Sequence, residues 1–227
     1  MPMFRRFNKD FFKVWSNEMA YVLGYTFADG AVYTNSRGSC YLEFTSVDRE
    51  LIYKVRSLLA SEHKVSLKKR NAENPNWKDS YRLQIGGKEL LKDLEKFGIR
   101  QNKSLVIRFP TIPKKYLGDF VRGYFDGDGS ANLGKYWRKD RNKLKWQFST
   151  MFTSGSRDFL VDLKKKLNTV TCGGFIHAKN RGFDLVYSVK DSLALFNFMY
   201  HNASTEMFLK RKYSIFQKAF KSLNLRA

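Results

Sequence analysis

Asp29 and Asp128 each close a segment that the chain carries twice. Residues 22–30 read VLGYTFADG and residues 121–129 read VRGYFDGDG. Each copy passes from an apolar residue to glycine and aromatic residues, then to a small residue and Asp-Gly. The copies stand close to half the chain length apart, which predicts a pseudo-symmetric protein with one shared acidic site. A single Asp-Gly after a helix is an ordinary turn. Two copies, each behind a helix with a small-residue face in a strongly basic chain, point to function. In the first helix Ala20, Gly24 and Ala28 recur every four residues, and in the second Gly123 and Gly127 do so. Such stripes let two backbones approach closely, a steric argument best attested in membranes. If the helices pack on each other, their C-terminal ends meet. Each end brings a carboxylate and about half a negative charge from the helix dipole. No positive side chain stands at the acidic end of either motif, so a divalent cation is the expected counterion. An oxygen-rich site suits Mg²⁺, with Mn²⁺ or Ca²⁺ able to substitute for binding.

Composition agrees with a polyanionic partner. The 227 residues hold 42 Lys+Arg against 21 Asp+Glu, a net charge of +21, far more than solubility alone requires. With 43% hydrophobic and 16% aromatic residues the chain can fill a real core. No apolar run is long enough to span a bilayer and no signal peptide is visible. Cys40 and Cys172 form no Cys-x-x-Cys or Cys/His cluster, so neither a disulfide framework nor a zinc site is expected. A reducing, intracellular setting follows, either cytoplasm and nucleoid or an organelle matrix, with no membrane partner. His63, His177 and His201 lie far apart and suggest no triad or ligand set.

The elements that must position the acids repeat as well. Ser16 or Asn17 is the expected N-cap of a first helix running to about Phe27, with Gly30 ending it in the left-handed conformation. Period-2 alternation then marks half-buried strands: Leu42 and Phe44 against Tyr41, Glu43 and Thr45; Val65 and Leu67 against Ser66, Lys68 and Arg70; Leu83 and Ile85 against Arg82 and Gln84. Residues 48–61 and 88–96 have helical spacing. The second half repeats the order, with strands near 147–152, 174–178 and 184–189 and helices over 156–167 and from Ser192. Thr45-Ser46 ahead of Asp48 echoes Thr153-Ser154 ahead of Ser156, so the repeat is longer than the motifs. Each half reads as helix, two strands, helix, two strands, helix. That is an α+β fold with antiparallel sheets. The expected division is 1–107, a linker over 108–116 carrying Pro110 and Pro113, and 117–227.

The repeated segments resemble the motif for which the LAGLIDADG homing endonucleases are named, and residues 11–15 (FFKVW) look like the run-in of some members. The resemblance covers essentially the whole chain. It implies a monomer of two pseudo-symmetric αββαββα halves with central motif helices and antiparallel, saddle-shaped sheets over double-stranded DNA. Ala20, Gly24 and Gly123 fall at the motif-helix interface. The last acids, Asp29 and Asp128, take the metal-binding catalytic role, and Ala28 and Gly127 add backbone carbonyls. The sixth motif position is Asp126 in the second copy but Phe27 in the first, a departure at a position expected to make a helix-end contact. The resemblance also places one basic residue per half near the scissile phosphates. Lys103 and Lys212 match, with Arg100, Lys210 and Arg211 as competitors.

The implied activity is Mg²⁺-dependent hydrolysis of both strands of a long, non-palindromic DNA target. Its bases are read by outward strand faces, with candidates Tyr33, Asn35, Arg37, Tyr41, Glu43, Lys68, Arg70, Arg82 and Gln84 in the first half. In the second half they are Gln147, Ser149, His177, Lys179 and Arg181. Each can equally be a solvated strand face. The basic, Trp-bearing segment 135–145 is either a strand extension or a basic loop. Two other readings share this fold: an RNA maturase acting on intron RNA, and a non-cleaving DNA-binding regulator, which would usually lose the motif acids. The Met1-Pro2 start and Asn224-Leu-Arg-Ala227 end favour a free-standing enzyme over an intein-embedded domain.

Overall fold

The computed structural model of the protein describes residues 5–69 and 78–225. Helix α1 (Asn17–Asp29) begins where Ser16 caps it, its Oγ accepting from the Met19 N–H at 3.1 Å. Every residue from Met19 to Phe27 is buried, as befits a helix that is apolar all round. Strands β1 (Gly30–Thr34) and β2 (Cys40–Ser46), helix α2 (Arg49–Leu58), strands β3 (Val65–Lys68) and β4 (Ser80–Gly86) and helix α3 (Lys88–Glu95) follow. The second series is α4 (Leu117–Asp128), β5 (Gly129–Arg138), β6 (Lys143–Ser154), α5 (Arg157–Leu167), β7 (Phe175–Lys179), β8 (Gly182–Tyr187) and α6 (Val189–Tyr200). A further helix, α7 (Lys210–Leu223), closes it.

The strands form two antiparallel four-stranded sheets of the same order, β1-β2-β4-β3 and β5-β6-β8-β7. Alternation sorts each sheet into two faces. Leu42, Phe44, Leu83 and Ile85 are wholly buried in the first, while Glu43, Arg82 and Gln84 between them remain half-exposed. The repeated Thr-Ser pairs make the same turn twice: Ser46 Oγ accepts from the Asp48 N–H, and Ser154 Oγ from the Ser156 N–H, both at 3.1 Å. The two αββαββα halves are therefore pseudo-symmetric in order, pairing and turn chemistry.

Three expectations need correction. Gly30 does not end α1 in the left-handed region; its φ is −73° and it opens β1 directly. Glycine is required there for space, because a Cβ would stand 2.6 Å from Thr26 Cγ2 and 2.7 Å from the Thr26 carbonyl oxygen. Helix α6 starts at Val189, ahead of Ser192. Helix α7 was missed because its surface is crowded with lysines, although Phe216, Ala219 and Phe220 give it a buried stripe. Segment 135–145 is a strand extension: β5 and β6 stay paired out to Arg138 and Lys143, joined by a short 3₁₀ turn.

The chain divides into two compact units, Met1–Lys103 with Pro110–Tyr124, and Ser104–Phe109 with Phe125–Ala227. The expected linker over 108–116 is shared between the two units. The first turns of α4 pack on α1 within the first unit. A Cβ on Gly24 would overlap the Phe120 carbonyl oxygen, and one on Gly123 the Tyr21 carbonyl oxygen. Phe27 packs edge-on to Phe120 at 5.3 Å, and the buried Arg122, paired with Asp119, lies 5.6 Å from the Tyr21 ring. In the second unit Phe125 meets Phe152 and Phe216 at 5.8 and 5.7 Å. Among the described residues no helix is long and apolar enough to cross a membrane. Because backbone opposes backbone at Gly24 and Gly123, neither neighbour can yield. Thermal denaturation should show Gly24→Ala and Gly123→Ala each losing about 2–3 kcal/mol. Gly134→Ala, where an added Cβ meets nothing within 4 Å, should stay within about 0.5 kcal/mol of the parent.

Candidate functional site

Asp29 and Asp128 are the last residues of α1 and α4, both half-buried, each followed at once by the first residue of a strand. The helix end exposes carbonyl oxygens that lack intrahelical partners. In the first unit Lys103, buried in a 3₁₀ turn, donates from Nζ to the Phe27 carbonyl at 3.1 Å and the Ala28 carbonyl at 3.5 Å. In the second unit Lys212, on the first turn of α7 and 4% exposed, does the same more fully. Its Nζ reaches the carbonyls of Phe125, Asp126, Gly127 and Gly129 at 2.7, 2.8, 3.1 and 2.6 Å. It also lies 5.3 Å from the centre of the Phe125 ring.

These contacts correct the electrostatic premise drawn from the motifs alone. Positive charge does reach each helix end, but from residues more than seventy positions further along the chain. A buried ammonium is tolerated because carbonyl oxygens replace its water and the negative pole of the helix attracts it. The competitors are placed differently: Arg100, Lys210 and Arg211 are exposed. Asp126 has a separate task. Buried to 2% exposure, its Oδ2 accepts from the Leu209 N–H at 2.9 Å, at the N-cap position of α7. It thereby holds the start of the helix that carries Lys212 three residues on. In the first copy Phe27 fills this position with an aromatic contact.

A divalent cation has suitable donors here. Asp29 and Asp128 are carboxylates, and Ala28 and Gly127 offer carbonyl oxygens, each with a second lone pair beyond the lysine contact. Among the described residues no group of three or more His, Cys, Asp or Glu is assembled to hold a metal. Each unit offers one carboxylate and one backbone oxygen, hard oxygens of the kind that suit a divalent cation.

The candidate base-reading residues fall into three groups. Tyr33, Tyr41, Glu43, Arg82 and Gln84 share the half-exposed face of the first sheet. There Gln84 Nε2 donates to the Tyr33 hydroxyl, which donates to Glu43 Oε2 at 3.2 Å, while Arg82 stands 4.0 Å from the same carboxylate. Burial, and next the Glu43 charge, push the Tyr33 phenol above its ordinary pKa, so it stays a donor. Lys68, His177 and Lys179 lie on edge strands, and Gln147 and Ser149 on β6. Asn35, Arg37 and Arg181 are in turns, off the strand faces. Asn35 Oδ1 accepts from the Arg37 and Ser39 N–H groups, and Arg181 is left-handed at φ +65°. Arg70 lies outside the described residues. Sequence reasoning passed over Asp184, which is buried on the same face as His177 and opposite it in register.

The unequal lysine contacts predict unequal costs. Lys212→Met should lower stability by about 2–4 kcal/mol and Lys103→Met by about 1–2 kcal/mol, since bonds from a charged donor are each worth a few kcal/mol at most. Urea unfolding of the two variants checks the order, and equal losses would show that the carbonyl contacts do not set it.

A family model described as a LAGLIDADG-like domain matches residues 16–98. A reverse gyrase of Methanocaldococcus jannaschii is 29% identical over 51% of this chain and 7% of its own length. An uncharacterized protein of the same organism is 24% identical over 92% of this chain and 73% of its own. The chain thus spans only a small part of the reverse gyrase and most of the second relative. Among solved structures, the LAGLIDADG homing endonuclease I-LtrWI bound to target DNA superposes with a TM-score of 0.61 at 13% identity, covering 96% of this chain and 92% of that one. The meganuclease I-SmaMI bound to uncleaveable DNA gives 0.59 at 13% identity, covering 90% and 91%. Residues 16–98 thus match the LAGLIDADG-like domain model, and the chain as a whole has the two-motif fold of these LAGLIDADG structures.

Proposed function

We propose that the protein is a site-specific endonuclease that hydrolyses one phosphodiester on each strand of a long, non-palindromic double-stranded DNA target. The observation that carries this reading is the pair of half-buried aspartates, each at a helix end whose carbonyls a buried lysine holds. Such a pair has little use in a protein that only grips DNA, where acids weaken the hold on phosphate. Asp29 and Asp128, with the carbonyls of Ala28 and Gly127, would each hold a divalent cation, Mg²⁺ by donor chemistry. When bound, the metal neutralises charge on the scissile phosphate and stabilises the departing oxygen. Lys103 and Lys212 fix the last helical turn, so the aspartate that follows keeps one orientation. Their ammonium groups also add positive charge where the phosphate's negative charge grows. The surplus of cations supplies most of the affinity through phosphate contacts, so binding should weaken steeply as salt rises. The chain acts as a monomer, since it carries both motifs itself.

The test is cleavage of DNA rebuilt by joining the sequences that flank the host element, with wild type, Asp29→Asn and Asp128→Asn, in Mg²⁺ and in EDTA. Wild type should linearise the substrate only with the metal. Each Asn variant should lose double-strand cleavage by at least about 10²-fold, the size of effect that removing one charge-stabilising group produces. Duplex affinity should be unchanged or slightly tighter, because an acid has gone. Full cleavage by either variant would remove that aspartate from the site. Tight binding without cleavage by wild type would favour the regulator, and preference for intron RNA the maturase.

A further inference from the structure

The two sheets are built alike but differ sharply at one equivalent place. In the first, Thr45 stands opposite Arg82 and Arg82 opposite Ser66. In the second, Thr153 stands opposite Asp184 and Asp184 opposite His177. The repeated Thr-Ser turns set these positions in register, so an arginine in one half answers to an aspartate in the other. The Arg82 side chain is 42% exposed, steadied by Ser66 Oγ at 3.4 Å from its Nε. The Asp184 side chain is 7% exposed although it lies on the face away from the helices. Thr153 Oγ1 donates to its Oδ1 at 2.6 Å and Lys179 Nζ at 2.8 Å, and His177 Nε2 lies 3.8 Å from Oδ2. Lys179 Nζ also donates to Thr153 Oγ1 at 3.2 Å. The lysine and histidine side chains above the acid remain 37% and 46% exposed.

A carboxylate on a face offered to a polyanion weakens binding unless it does something else. Here it fixes the ammonium of a residue that would otherwise roam over many rotamers and lose that freedom on binding. We propose that Asp184 is a positioning residue for base reading, acting through Lys179. The inference rests on the DNA-cleaving reading above. At this place the first half of the target is read by the planar fork of Arg82, suited to the O6/N7 edge of guanine. The second half is read by a lysine point charge delivered from the edge strand. The two half-sites then carry different base preferences at symmetric positions.

The experiment is selection of bound duplexes from a pool randomised across the target, using wild type, Asp184→Asn, Lys179→Ala, the double variant and Arg82→Ala. Asp184→Asn should flatten the preference at one or two neighbouring base pairs of one half-site by about tenfold, the scale of a single good base contact. Lys179→Ala should flatten the same positions, and the double variant no more than either. Arg82→Ala should act only in the opposite half-site. Asp184→Asn should hold random-sequence duplex at least as tightly as wild type. Unchanged preferences in Asp184→Asn would overturn the proposal. So would flattening across both half-sites with a lowered melting temperature, the mark of a purely structural acid. A wild type with no base preference anywhere would overturn the DNA-reading assignment itself, and that result comes before any variant is made.

Discussion

A carboxylate at the C-terminus of a helix sits where the backbone dipole is already negative, and it stays there only if positive charge is brought to it. Both motif aspartates are in this position. The structure answers with a lysine in each unit, Lys103 on the carbonyls of Phe27 and Ala28 and Lys212 on those of Phe125, Asp126, Gly127 and Gly129. Lys212 reaches its place because α7 begins just after its N-cap Leu209, whose N–H Asp126 accepts. One motif residue thus anchors the helix whose lysine holds the motif's own end. The first unit has Phe27 instead and only a 3₁₀ turn behind Lys103, whose carbonyl contacts at 3.1 and 3.5 Å are long.

Glycine does two different jobs in the motifs, and neither is conformational freedom. Gly24 and Gly123 let α1 and the first turns of α4 meet backbone to backbone, where a side chain would strike a carbonyl oxygen. Gly30 and Gly129 let the chain leave a helix and enter a strand without a stagger. A Cβ on Gly129 would stand 2.6 Å from the Phe125 carbonyl oxygen. The sharp exit means that the aspartate just before it has its orientation set on both sides, by the helix and by the strand. A merely flexible turn would not fix a side chain in this way.

What could be read from the residues follows from how far each interaction reaches along the chain. Alternation at Leu42, Phe44, Leu83 and Ile85 is local and predicts the strands, and the Ser16 cap and the Thr-Ser turns are local as well. The small-residue stripe showed which helix face had to be bare. The family resemblance picked out Lys103 and Lys212, but nothing local showed that they would hold the helix ends, because they are ordinary lysines in a chain that has many. The fold adds that these two are buried whereas Arg100, Lys210 and Arg211 are exposed. Helix α7 was hidden for a related reason: its lysines mask the Phe216 and Phe220 spacing on a stripe only a few residues wide. Asp184 escaped because a lone acid within an apolar strand gives no hint that Thr153 and Lys179 will cover it.

The pseudo-symmetry is therefore uneven, and the unevenness has a physical order. Apolar positions facing the helices, and glycines at close approaches, repeat because packing density leaves no latitude there. The opposite face of each sheet is open, so its side chains are constrained only by one another. There the two halves have gone separate ways. The first carries a neutral-to-acidic network of Tyr33, Gln84 and Glu43 with Arg82 beside it. The second carries an acid sunk beneath a lysine and a histidine. Each network leaves few side-chain groups free to rotate, which lowers the entropy a ligand must overcome and raises the penalty for a wrong partner. A duplicated scaffold can thus hold its packing and its helix ends fixed while the two open faces vary independently.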